Sequence, residues 1–146
     1  MLTNPLNETA VVISMLCSGV FFMTGLLTGA WKYFAMVASE NYKAPYYVDV
    51  AHRASLMYAF AAMLLAVFAY FSAFSDTTNT IAAVFPLLFF AISIALYIVL
   101  GIKNETNNQL RDAEDKSATA KAMYVLMFAE IGGFAVLFAG FIASIL

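Results

Sequence analysis

The chain reads as an all-α integral membrane protein, a four-helix bundle with both termini on the non-cytoplasmic side and two cytoplasmic loops. Three observations lead there. Of its 146 residues, 64% are hydrophobic and only 11% charged, far from the soluble norm of about 45–50% apolar and 25% charged. Four separate apolar stretches are each long enough to cross a hydrocarbon core of about 30 Å, which takes about 20 residues at about 1.5 Å each. All seven Lys and Arg residues gather beside two of the three connections.

The first predicted span covers 9–31. Only Glu8 precedes it, with no Lys or Arg. It is also longer than the roughly 7–15-residue apolar region of a cleaved signal, so it is read as retained. The second span covers 50–74 and the third 80–102, with the turn Ser75-Asp76-Thr77-Thr78-Asn79 between them. Its capping residues demand an antiparallel helical hairpin. The fourth span covers 120–146. Strands are excluded by the absence of strict alternation and by the cost of an open sheet edge in lipid. The four spans make one transmembrane domain, residues 1–146.

Orientation follows from the flanks. Lys32, Lys43 and Arg53 belong to the first long connection, and Lys103, Arg111, Lys116 and Lys121 to the second; the other face carries Glu8 and Asp76. Flanking cations in short loops set the cytoplasmic side, and acids weigh little. Trp31, Tyr33, Tyr42, Tyr46 and Tyr47 sit at the same level, where amphipathic rings favour the headgroups. The setting expected is a bacterial inner membrane. The formal net charge of −2 comes without a basic cluster, so no nucleic-acid partner is expected.

For packing, Gly25 and Gly29 of the first span and Gly132, Gly133 and Gly140 of the fourth suggest that these two helices approach closely. Pro86 should kink the third span near its start. The segments 54–58 and 119–124 each place a Met-Tyr pair after a cytoplasmic helix start, a similarity too slight to use. Asn-Glu-Thr triplets at Asn7 and Asn104 match a glycosylation pattern, but one lies almost in the membrane and the other is expected in the cytoplasm. Cys17, the single cysteine, reads as a small buried apolar residue.

Glu130 is the most informative side chain. Nine residues beyond Lys121, it lies about 13 Å into the membrane, near the midplane. An ionised carboxylate there costs several kcal/mol, so it should be protonated, paired, or open to a water-filled cavity. The alternative is a neutral acid bonding a neighbouring helix or subunit. At similar depth lie Thr24 and Thr28 of the first span, Tyr58 of the second, and Ser93 and Tyr97 of the third. If all face inward, five hydroxyls from three helices surround one carboxylate.

A second constellation is Asp49, His52 and Arg53. Asp49 is placed to cap the second helix and to pair with Arg53 at i,i+4, with His52 on nearly the same face. Together they suggest a cytoplasmic mouth for an anion or lipid headgroup, or for protons moving inward from His52. Its plainer reading is an interfacial anchor. One histidine cannot furnish a haem or metal ligand set, and no metal site or cofactor is named by these residues.

Without a nucleophile–base pair, the reading that fits best is a binding or accessory protein. It would hold a lipid-like or quinone-like molecule, and would work as a homo-oligomer or as a subunit of a larger membrane complex. Another reading is a proton-coupled transporter or channel subunit using Glu130. In size, four-span layout and a long first loop leading to an arginine at the second span, the chain also resembles the glutathione-using membrane-associated eicosanoid and glutathione transferase family. That resemblance implies a small membrane enzyme in which Arg53 binds the thiol cofactor. The family follows this arginine with an asparagine and a glutamate on the same face, where this chain has Met57 and Phe60.

Overall fold

The computed structural model describes residues 4–146. After a single 3-10 turn at Pro5–Asn7, it consists of four helices: α1 (Thr9–Val37), α2 (Tyr46–Tyr70), α3 (Asp76–Lys103) and α4 (Lys116–Ile145). All four are long and apolar enough to cross a membrane.

Helix ends do not fall where hydropathy falls, and α3 and α4 begin at side-chain caps. At 29 residues, α1 is about 43 Å long and outruns the hydrocarbon core, ending at Val37 rather than Trp31. α2 starts at Tyr46, directly after Pro45. Asp49 therefore lies in the first turn and is not the cap; with its N-terminal position it still favours the helix dipole. The α2–α3 connection is also shifted. α2 stops at Tyr70, and α3 already begins at Asp76, because the Ser75 hydroxyl accepts the Thr78 N–H at 3.3 Å. Asp76 to Asn79 thus form the first turn of α3 instead of the connecting turn. Asn79 is buried and donates to the carbonyls of Ala69 and Phe74 at 3.4 and 3.2 Å, closing the end of α2. Asp115 caps α4 through the Ala118 N–H at 2.9 Å, which starts that helix at Lys116 rather than Ala120. At the end of α3, Asn104 adopts a left-handed conformation with φ 50° and its N–H returns to the Leu100 carbonyl at 2.9 Å.

The bundle is centred on α2 and α3. α1 lies against α2 along its length and also reaches α3; α4 packs on α3 and touches α2. α1 and α4 sit on opposite flanks, so the expected close contact between them does not form. The reason lies in what fills the glycine notches. A Cβ on Gly25 would stand 2.9 Å from Leu56 Cγ, and one on Gly29 would stand 2.8 Å from His52 Cε1. Both partners belong to α2. α2 also buries the small residues Ala51, Ala59, Ala62, Ala66 and Ala69. The Ser18 hydroxyl donates to the Ala59 carbonyl at 2.9 Å across the same seam.

Gly133 of α4 serves α3. Proline lacks an N–H, so Pro86 leaves the Ala82 carbonyl without its helical partner. Gly133 packs against that carbonyl and the Pro86 ring; a Cβ there would stand 2.7 Å from the ring carbons. Gly140 packs against the α2–α3 connection and accepts the Ala73 N–H at 2.9 Å. On the same side, Asp76 accepts the Ala10 N–H at 3.2 Å and ties α3 to the start of α1.

Candidate functional site

Three features stand out: a polar cluster around Glu130, an ion-pair cluster where α1 meets α2, and an apolar cleft between α3 and α4.

Glu130 projects from α4 on the stripe that also carries Phe134 and Leu137, toward α2 and α3. Its Oε1 is fully enclosed and has no hydrogen-bond partner. The Tyr58 hydroxyl from α2 and the Tyr97 hydroxyl from α3 lie within electrostatic reach of this carboxyl. Ser93 stands beside Tyr58, and the Gln109 side chain beside Tyr97. The Tyr58 ring is stacked on Phe90 at 4.3 Å, which fixes its hydroxyl between α3 and α4. Tyr58 and Tyr97 therefore lie near Glu130, with Ser93 beside Tyr58.

Thr24 and Thr28 do not. The Thr24 hydroxyl donates to Val20 O at 2.9 Å and that of Thr28 to Thr24 O at 2.7 Å, both on their own helix. They belong to α1, on the far flank from α4. Depth places a residue along the membrane normal and says nothing about which side of the bundle its helix occupies.

Two members of the cluster escaped the sequence reading. Tyr47, grouped there with the interfacial aromatics, is buried; its hydroxyl accepts the Gln109 N–H at 2.7 Å, and its ring stacks on Tyr97 at 6.0 Å. The signal was its spacing from Tyr58: eleven residues are about three helical turns, so both share one face of α2. Gln109 carried no such signal, because only the folded α3–α4 loop brings it inward. Its Oε1 is also enclosed without a partner. The loop is ordered by Asp112, which accepts from the Arg111 guanidinium at 2.6 and 2.7 Å and from the Thr106 hydroxyl at 2.6 Å. The guanidinium and that hydroxyl hold the Asp112 carboxyl well below the usual carboxylate range.

The second constellation forms, but it does not open toward Glu130. Asp49 joins Lys32 of α1 at 2.6 Å and Arg53 at 2.7 Å. The His52 Nδ1 lies 2.8 Å from the Gly25 carbonyl. Asp49 and His52 face α1, whereas Tyr58, nine residues or about two and a half turns beyond Asp49, points to the opposite side of α2. The expected mouth above the buried acid is thus a clamp between α1 and α2. Met57 and Phe60, at the positions of the transferase family's polar pair, are 71% and 62% exposed.

The cleft between α3 and α4 encloses about 630 Å³, within the range of about 300–1,000 Å³ typical of small-molecule sites. Ile81, Phe85, Phe89, Val125, Phe128 and Val136 form its walls, with Thr78 at one end and Gly132 between them. A Cβ on Gly132 would meet nothing within 4 Å. Because Gly132 and Glu130 lie on different sides of α4, the cleft and the polar cluster are separate. No protein-family model matches the chain, and no curated protein or solved structure is significantly similar to it.

Proposed function

We propose that this membrane protein is a binding or accessory subunit whose α3–α4 cleft holds a chain-like apolar molecule of the lipid or quinone kind. The observation that carries the reading is the cleft itself. Its lining is almost wholly apolar, and its volume of about 630 Å³ suits a hydrocarbon chain rather than a polar metabolite. Thr78 at one end is the polar group available to a headgroup. The thin packing of α4 supports the accessory role, since Tyr124 and Ile131 are each left 70% exposed, a surface for a second copy or a larger membrane partner. In this reading the two long loops face the cytoplasm, on the strength of their cations.

Native mass spectrometry of the particle released from lipid nanodiscs tests the cleft. The parent protein should carry a bound apolar molecule. Gly132→Leu should lose it while keeping helicity and oligomer mass, because its side chain fills the cleft without striking the fold. A parent particle free of any bound molecule, or one whose ligand survives Gly132→Leu, would overturn the assignment.

A further inference from the structure

The polar cluster lies apart from the cleft and calls for its own account. Two enclosed acceptors without partners, Glu130 Oε1 and Gln109 Oε1, mark its two ends. Between them stand the hydroxyls of Tyr58, Ser93 and Tyr97, with Tyr47 holding Gln109 from the loop side. Of the four enclosed side-chain atoms without partners among the described residues, Ser14 Oγ and Asn79 Oδ1 lie elsewhere and these two share one polar cluster, where an ordered water can bond to each acceptor. Hydroxyls both donate and accept, so a row of them carries a proton by exchange: each takes one on a lone pair and releases its own.

We propose that Glu130 is a proton-exchanging carboxyl whose route to water runs past Tyr58 and Tyr97 to Gln109 on the α3–α4 loop, and not through His52. The proton leaves the carboxyl O–H, passes along the hydroxyls with bridging water between them, and is accepted by water at the Gln109 end; no electron moves. The titratable groups facing the carboxyl are Tyr58 from α2 and Tyr97 from α3, and none of the ion pairs among the described residues includes Glu130. A carboxyl with no counter-ion in an apolar setting is held neutral, which is the state able to release a proton inward or outward. His52 is excluded by geometry: its ring fills the notch at Gly29 on α1 and its Nδ1 meets the Gly25 carbonyl, across α2 from Tyr58. At the loop end the Tyr47 ring stacks on Tyr97.

Infrared spectroscopy of the full chain in nanodiscs reads this directly. A protonated carboxyl C=O band should be present near neutral pH and absent in Glu130→Gln. After a switch to D₂O, the band should shift as the proton exchanges. Tyr97→Phe and, separately, the loop variant Gln109→Leu should slow that shift by about tenfold or more, and His52→Gln should leave it unchanged. Circular dichroism and particle mass verify that each variant is folded. Absence of the band in the parent, equal exchange rates in the parent and both route variants, or slowing by His52→Gln would each sink the proposal. None of these outcomes bears on ligand occupancy of the α3–α4 cleft.

Discussion

Gly133 and Gly19 are both helical glycines, yet they differ in what faces them. Gly133 lies against the Ala82 carbonyl and the Pro86 ring, while Gly19 faces open space. Gly133→Ala should therefore destabilise the bundle by about 1–3 kcal/mol through overpacking against backbone that cannot yield. Gly19→Ala should stabilise α1 by up to about 1 kcal/mol through helix propensity. Unfolding in mixed micelles compares the two. The Asp49 clamp is a milder case. With Asp49 and Lys32 each 31% exposed, Asp49→Asn should cost about 0.5–1 kcal/mol, the scale of a solvated pair, in the same assay. These roles were unreadable from residue type, because a GxxxG spacing announces close approach without naming the partner helix.

At the scale of elements, the caps decide where helices stop and how loops are held. Asn104 ends α3 in a left-handed conformation. Asn104→Gly should be tolerated, whereas Asn104→Val should cost about 1–2 kcal/mol from the steric penalty of that conformation, again measured by unfolding. The loop that follows depends on Asp112. Its carboxyl is held below the ordinary carboxylate range, so its contribution to loop order is complete above that range. The contribution is lost only as pH falls through the lowered value. Amide hydrogen exchange across 106–112, corrected for intrinsic rates, should be flat from pH 5 to 8 and accelerate only in strong acid. A change centred near pH 6 would contradict this. Helix existence was legible from hydropathy, but helix ends were not. Pro45, Ser75 and Asp115 start helices in polar sequence that a hydropathy window assigns to loops.

For the whole molecule, the placing of every cation near the two long connections predicts one topology. In a Cys17→Ala background, cysteines placed at Ser39 and Asn107 should be labelled only from the cytoplasmic side of sealed cells or vesicles, and one at Thr77 only from the opposite side. Labelling of Ser39 and Asn107 from opposite sides would contradict the four-span arrangement.

What the sequence by itself determined is a matter of one dimension. Hydropathy, span length and the distribution of Lys and Arg describe position along the membrane normal. They yield four candidate spans and, as expectations, an orientation and a depth for Glu130. The tertiary structure decided the other two dimensions. It placed α1 and α4 on opposite flanks, which removed Thr24 and Thr28 from Glu130. It turned Asp49 and His52 toward α1, and it brought Tyr47 and Gln109 to the end of the Tyr58–Tyr97 row. The physical reason is that lipid solvates every apolar face equally well. Lateral arrangement is therefore set by local shape, a ring in a glycine notch or a glycine against a proline, and such fits exist only once two helices have met.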